Sequence, residues 1–423
     1  MNWNEAMRLI QNTEWLEQKP GLERMHLLLD FFGNPEKSMH FVHIAGTNGK
    51  GSASAMLSSV LRASGLRTGL YISPHLLRIN ERMSVNGKEI TDTEFASLAG
   101  EILHAVRLLD TKPTKFEILT LMALLFFREK HCDIAVLEVG LGGRLDATNA
   151  IGTPDCALIM NIGLEHTEIL GDTLEKIAFE KAGIIKPDAQ VILYRQTAAV
   201  METIKQCCTE RHAVLTVTDP SAFRLQKSSL SGQCFDYRNR KDLELSLLGS
   251  YQTENAMAVL DAADVLIRKG FPIPEAAVRK GLSTAVWPGR FELLSENPIV
   301  LLDGAHNPNG VAALCSSIRT FLPDRRLILL MGVMADKNYP EMLRLISPYA
   351  KAFIAEVPDS TRALSRDRLQ QEIAKHFSGP VYPFGSVSEG LEYALRIAEP
   401  DDAVVCFGSL YQVAAIRRHF GLS

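Results

Sequence analysis

The sequence predicts an α/β protein of two domains, the first a mostly parallel sheet behind a glycine-rich loop, the second a smaller, doubly wound α/β unit. Three observations lead there. Short runs rich in Val, Ile and Leu alternate with longer amphipathic stretches, the pattern of strand-helix-strand units whose buried strands read as continuous apolar runs. The alternation breaks between Val214 and Leu247 and starts afresh after Trp287-Pro288-Gly289-Arg290, which reads as a linker. At 423 residues the chain is also longer than one hydrophobic core usually supports. Residues 1–292 are therefore assigned to the first domain and 293–423 to the second.

In chain order, the buried strands of the first domain are expected at Phe41–Ala45, Thr68–Ile72, Asp133–Val139, Ala157–Ile162 and Val191–Tyr194. Between them, helical spacing covers Thr93–Leu109, Lys115–Lys130 and Leu174–Ile185. Short alternating segments with polar turns from Val214 to Leu247 suggest an antiparallel edge or subsheet, followed by helices over Gln252–Lys269 and Glu275–Leu282. The second alternation sets strands at Ile299–Asp303, Leu327–Gly332, Ala352–Glu356 and Ala403–Phe407. Its helices start at Gly310, Pro340 and Arg366, and continue over Glu389–Ala398 and Tyr411–Phe420.

Composition narrows the function. Hydrophobic residues make up 46% and charged residues 22%, the balance of a soluble globular protein. A net charge of -4 and a pI near 6.3 supply no basic field for a nucleic acid. Met1 to Trp15 has helical spacing but lacks the basic and apolar blocks of a signal peptide, and the longest apolar run, Ile118 to Phe127, is too short to span a bilayer. The expectation is a cytoplasmic protein with neither a nucleic-acid nor a membrane partner, and nothing demands more than a monomer. The seven cysteines are scattered without C-x-x-C spacing, so they read as small core hydrophobes.

The most specific local signal is Gly46-Thr47-Asn48-Gly49-Lys50-Gly51-Ser52, between an apolar strand and a helix of small residues. Glycines let backbone N–H groups turn toward phosphate oxygens, the helix N-terminus adds positive potential, Lys50 reaches terminal phosphates and Ser52 can touch Mg²⁺. The loop departs from the general phosphate-loop form, because Ile44 stands where the first glycine belongs and Gly51 separates Lys50 from the hydroxyl. The competing explanation is a plain glycine turn opening a helix.

Further candidates cluster just past strand ends, where open α/β sheets bind ligands. Glu138 opens Glu138-Val139-Gly140-Leu141-Gly142-Gly143-Arg144-Leu145-Asp146 and is a natural Mg²⁺ ligand; the dinucleotide pattern G-x-G-x-x-G fails at Leu145. His166 follows the next strand, and a lone histidine is more often a surface or core residue than a ligand. Lys181 sits in Glu180-Lys181-Ala182-Gly183, which can simply cap a helix. Arg290 lies at the domain junction, and in the second domain Asp303 and His306 follow the first strand in Asp303-Gly304-Ala305-His306-Asn307-Pro308, where Asp-Gly also reads as a turn and Asn-Pro as a helix entry.

Taken in order, these motifs resemble the folylpolyglutamate synthase and dihydrofolate synthase family, related in its first domain to the muramyl-peptide ligases. The match runs through nearly the whole chain: the loop with its Gly51 insertion, Ser73-Pro74-His75-Leu76, Phe116-Glu117-Ile118-Leu119-Thr120, Glu138, Gly142 to Asp146, His166, Lys181, Asn255, Arg290, Asp303 to Pro308, and Phe407-Gly408-Ser409. The resemblance implies a Mur-ligase-like central domain followed by a Rossmann-like one. It also implies an ATP-dependent ligase that joins L-glutamate to folates through an acyl phosphate, and that also converts dihydropteroate to dihydrofolate.

By the same likeness Ser73, Glu138 and His166, with Ser52 nearby, would hold Mg²⁺, two ions in all, and Lys181, carried as a carbamate, would be a further Mg²⁺ ligand through its anionic oxygen. Lys50, Lys181, Asp303 and His306 are the implied catalytic set. Asn255, Arg290 and Asp303 would contact ATP beside the loop, with Arg290 as a hinge, and His306 and Ser409 would lie near the incoming glutamate. Gly21, Leu22, Glu23, Arg24, Arg82, Phe116, Glu117, Arg144, Leu145, Asp146 and Ala147 would receive the pteroyl acceptor. Two alternatives stay open from the residues: a muramyl-peptide-type ligase, against which Gly51 and the lack of a further domain ahead of Phe41 weigh, and a nucleotide-regulated binding protein that forms no amide.

Overall fold

Parallel strands cannot be joined by tight turns, so every crossover needs a longer connection, usually a helix, and this requirement organises the first unit. The computed structural model describes residues 2–11, 21–109 and 111–422. The chain divides into two compact units, Met1–Phe223 with Glu254–Ala285, and Arg224–Thr253 with Val286–Ser423. Near the start, a helix covers Trp3–Gln11, and positions 12–15 of the expected helical stretch lie outside the described residues.

The first unit holds β1 (His40–Ala45), β2 (Thr68–Tyr71), β3 (Met83–Val85), β4 (Lys88–Glu89), β5 (Ile134–Glu138), β6 (Cys156–Ile159), β7 (Gln190–Leu193) and β8 (Val214–Val217). They form one sheet in the order β4-β3-β2-β5-β1-β6-β7-β8. In sheet order, pairing is parallel from β2 to β8, and only the pairs β2–β3 and β3–β4 are antiparallel. β1 lies between β5 and β6, with Ile44 opposite Glu138 and Ala45 opposite Ile159. Three strands therefore end side by side, which brings together the loops that begin at Gly46, Val139 and Met160.

Apolar clusters pack helices against this sheet. One packs the helices Asp92–Leu108 and Lys115–Glu129 with Phe41, Tyr71, Ala135 and Leu137, and another packs Leu174–Ala182 and Ala198–Glu210 with Ala157, Ile159, Val191 and Leu193. Both helices of the first cluster start with a capping box, Thr91 with Glu94 and Thr114 with Glu117. No helix among the described residues is long and apolar enough to cross a membrane.

The segment from Val214 corrects the sequence expectation. β8 pairs parallel with β7 and completes the main sheet, and the antiparallel subsheet starts only at β9 (Phe223–Ser229), followed by β10 (Gly232–Tyr237) and β11 (Arg240–Leu245). β8 is an edge strand without a fully buried side chain, so its composition alternates as an antiparallel strand's would. The hairpin segment Arg224–Thr253 groups with the second unit.

That second unit carries a six-stranded sheet, ordered β12-β13-β17-β14-β15-β16, from β12 (Glu292–Glu296), β13 (Ile299–Leu302), β14 (Arg326–Met331), β15 (Ala350–Ala355), β16 (Val381–Pro383) and β17 (Asp402–Phe407). All pairs are parallel except β12 with β13. β12 and β16, both half-exposed edges, lack the apolar runs by which strands are read and were not expected from the sequence.

Glu356, directly after β15, is fully buried, and among the described residues neither of its carboxyl oxygens has a hydrogen-bond partner. Burial pushes its pKa up from an ordinary 4.5 to about 8. A group raised in the folded state stabilises fully below its unfolded pKa, and that stability is lost as pH rises through the folded value. Thermal melts should therefore show the wild type losing about 3 °C or more relative to Glu356→Gln between about pH 5 and pH 9. Parallel pH curves for the two proteins would assign the dependence to other groups.

Candidate functional site

Past the end of β1 the backbone takes left-handed values at Gly49 (φ 86°), which precedes the helix Lys50–Ala63. A side chain at Gly49 would be strained, and its Cβ would fall 2.6 Å from Asn255 Oδ1. Glycine is thus what lets Asn255 lie against the loop. The N–H groups of the first helical turn have no intrahelical acceptor and point out of the helix end, and Ser52 is buried in that turn. The loop is braced from the β6 side: Asn161 O accepts from Thr47 N at 2.6 Å, while Thr47 Oγ1 donates to Gly163 O at 3.1 Å and accepts from Gly163 N at 3.0 Å. Gln196 holds the bracing segment, donating to Met160 O and accepting from Ile162 N.

Two amines converge here. Lys50 Nζ donates to Gly46 O at 3.0 Å and to Thr47 O at 3.3 Å, and Lys181 Nζ donates to the same Gly46 O at 2.8 Å. Lys181 is only 4% exposed. Burial, then the neighbouring Lys50 charge, lowers its pKa from 10.5 to about 7, against smaller opposing effects of Glu165 and Asp146. Near neutral pH a substantial share of this amine is unprotonated and nucleophilic.

Of the expected metal ligands, Glu138 is buried at the end of β5 and its Oε2 accepts from Ser73 N at 3.4 Å. His166 stands in the next strand-end loop with left-handed φ, ahead of the short helix Thr167–Leu170. Among the described residues no three His, Cys, Asp or Glu side chains group closely enough to hold a metal unaided. Mg²⁺ takes one or two carboxylates and completes its shell with substrate phosphates and water, so one carboxylate with hydroxyl groups beside a phosphate loop fits that ion.

The loop after β5 is locked onto the helix Leu174–Ala182. Arg144 N donates to Glu180 O at 2.8 Å, its guanidinium pairs with the Glu180 carboxylate, and Gly183 packs against the Arg144 backbone. Asp146 Oδ2 accepts from Leu141 N and Oδ1 from Thr148 N. Leu145 is partly exposed and Ala147 is buried beside it. The Phe116 ring lies over Gly140, where a Cβ would fall 2.5 Å from it, and near Tyr71.

Of the other expected acceptor contacts, Arg24 and Glu117 pair with each other and Arg82 pairs with His75. Arg24, in the helix Glu23–Phe31 that follows Gly21 and Leu22, makes a two-pronged ion pair with Glu117, whose carboxylate also accepts from Thr114 N in the helix cap. Arg82 Nε donates to His75 Nδ1 at 2.9 Å; burial, with the charges of Arg82 and Lys115, lowers His75 to about 4.

In the second unit, Asp303 follows β13 and is 4% exposed. Its Oδ2 accepts from Tyr251 Oη at 2.9 Å and from Phe291 N at 2.8 Å, and its Oδ1 from Ala305 N at 2.7 Å. Burial raises its pKa, while Arg290 opposes the rise. The Arg290 guanidinium lies against Gly304, and His306 Nδ1 bonds Gly304 O at 2.8 Å, which places a hydrogen on Nδ1. Gly408 N donates to Ala305 O, bringing the end of β17 and the buried Ser409 to the same loop. Asn307 caps the helix Pro308–Phe321 through Gly310 N, so this asparagine has a structural role as a helix entry.

Tyr251 and Gln196 were missed by sequence reading, and His75, though part of the quoted Ser73-Pro74-His75-Leu76 motif, was given no role of its own. Their partners lie far along the chain or depend on loop geometry, and no local spacing signals them. His43 could have been noticed, as a polar residue inside the apolar run Phe41-Val42-His43-Ile44.

Residues 44–263 match the Mur ligase middle domain, and residues 289–410 the Mur ligase glutamate ligase domain. The chain is 34% identical to the dihydrofolate synthase/folylpolyglutamate synthase of Bacillus subtilis, covering 95% of each protein. Among solved structures, a Mycobacterium tuberculosis folylpolyglutamate synthase complexed with ADP superimposes with a TM-score of 0.91 at 31% identity, over 100% of this chain and 98% of that one. An E. coli FolC in complex with DHPP and ADP gives 0.89 at 30% identity, again over 100% and 98%. In fold, motif order and length of match, this chain belongs to the folylpolyglutamate synthase/dihydrofolate synthase family of Mur ligases.

Proposed function

We propose that the chain is an ATP-dependent amide ligase that adds L-glutamate to folates and also converts dihydropteroate to dihydrofolate. The observation that carries the reading is the placement of Lys50 and Lys181 at one carbonyl of a phosphate loop, inside a chain that matches such ligases from end to end. Its substrates are small molecules, and the proposed setting is cytoplasmic, with the enzyme acting as a monomer.

The reaction has two steps. The terminal carboxylate of the acceptor attacks the γ-phosphorus of ATP, forming an acyl phosphate and releasing ADP. The glutamate amine then attacks the acyl carbon, phosphate leaves, and the nitrogen gives up its proton. The protein's share is alignment and charge neutralisation. Gly46, Thr47, Asn48, Gly49, Gly51 and Ser52 cradle the phosphates, Lys50 bonds the terminal ones, and Asn255, Arg290 and Asp303 are further nucleotide contacts. Ser52, Ser73, Glu138, His166 and Lys181 in its carbamate form would hold Mg²⁺, which when bound neutralises phosphate charge. Gly21 to Arg24, Arg82, Phe116, Glu117 and Arg144 to Ala147 serve the acceptor, and His306 and Ser409 the glutamate. Residues 1–292 thus handle ATP and folate, and residues 293–423 the amino acid.

Carbamylation of Lys181 fits its environment. The neutral amine adds to carbon dioxide and releases a proton, and an anionic carbamate beside Lys50 replaces a like-charge contact with an attractive one. Lys181→Ala should lose activity and recover part of it with a small carboxylate such as acetate. Failure of rescue across the soluble range, with binding of ATP intact, would count against the carbamate.

The reading as a whole is tested by glutamate-dependent ADP release from Mg-ATP, with dihydropteroate and a reduced folate offered separately and products weighed by mass spectrometry. A one-glutamate mass gain on both acceptors is expected, and gain on neither would overturn the assignment. Lys50→Ala should keep its fold and lose about a hundred-fold or more in turnover, the scale for removing one charge-stabilising group; wild-type product formation would take the loop out of the reaction.

A further inference from the structure

We infer that His43 is a positioning residue for the acceptor: through the Thr148 hydroxyl it holds the Asp146 carboxylate in the orientation that shapes the loop after β5. The inference rests on the reading of Asp146 as an acceptor contact.

His43 lies in the middle of β1 and, like Thr148, is fully buried. Its Nε2 is 2.8 Å from Thr148 Oγ1, and Thr148 Oγ1 is 2.5 Å from Asp146 Oδ1. A hydroxyl has a single hydrogen, and here the carboxylate takes it, so the hydroxyl oxygen can only accept from the histidine. The hydrogen of the imidazole is therefore on Nε2, and Nδ1 carries a lone pair without a partner among the described residues. The opposite tautomer would bury an N–H without an acceptor and turn two acceptors toward one hydroxyl hydrogen.

Burying an imidazole between Val42 and Ile44 is unfavourable, and an apolar side chain would pack there at lower cost. Burial, reinforced by the charge of Lys186, also keeps the ring neutral, lowering it to about 3. His43 thus remains a donor of one hydrogen bond throughout the physiological range. What that bond fixes is Asp146, whose carboxylate ties the start of its loop at Leu141 to Thr148 beyond the turn. β1 thereby reaches both sides of the site: its end carries the phosphate loop, and its middle sets the loop assigned to the acceptor.

Kinetics on folded variants of the full chain test this. Thr148→Val and His43→Leu should raise the acceptor KM about ten-fold, the effect of leaving one buried polar partner unpaired, with kcat and the ATP KM within about two-fold. Thr148→Ser and His43→Gln, which keep the hydroxyl and the N–H donor, should restore most of the affinity. An unchanged acceptor KM in Thr148→Val, while Asp146→Ala raises it, would overturn the relay and leave Asp146 as an acceptor contact. An unchanged KM in Asp146→Ala would remove the reading on which the relay rests, and the relay with it. Should His43→Leu fail to fold, ¹⁵N chemical shifts of His43 in the wild type decide the geometry, since a protonated Nδ1 with a bare Nε2 would overturn it.

Discussion

The site turns on the sharing of one carbonyl oxygen, that of Gly46, by two lysine amines. Two ammonium groups within bonding distance of one acceptor repel each other, and one of them, Lys181, is also cut off from water. Burial weighs more than repulsion, and together they bring the Lys181 amine near neutrality at physiological pH. Such an arrangement is costly unless the surrounding chain holds both side chains in place. Much of the first unit does so: β1 sets Gly46, the helix Lys50–Ala63 sets Lys50, and the helix Leu174–Ala182 sets Lys181.

The loops around this point are bonded mainly to one another. The phosphate loop is tied to Asn161 and Gly163, that segment to Gln196, and the loop after β5 to Glu180 and Gly183. Strand-end loops in parallel sheets have no ladder to define them, so side-chain and backbone bonds between neighbouring loops do that work. The second unit solves the same problem at Asp303, where one buried carboxylate gathers Tyr251, Phe291 and Ala305.

The layout of the sheets was legible because central parallel strands are buried on both faces. β1, β5, β6, β7, β13, β14, β15 and β17 all read as apolar runs in the sequence. β4, β12 and β16 did not, because edge strands are half solvated and carry mixed residues, and β3 is only three residues long; β8, expected in an antiparallel edge or subsheet, instead pairs parallel with β7 at the edge of the main sheet. Cap residues such as Thr91, Thr114 and Asn307 carry purely local chemistry.

The same division runs through the site. The sequence by itself determined the phosphate loop, since its glycines, lysine and hydroxyl are contiguous and act through local backbone geometry. It also determined, by the order of its motifs, the family to which the chain belongs. Only the tertiary structure decided that Lys181 meets Gly46, that Asn255 covers Gly49, that Arg24 and Glu117 bond each other, and that His43 reaches Asp146 through Thr148. Those contacts join residues far apart in the chain, and their distances follow from strand order and helix packing, which no local pattern of residues encodes.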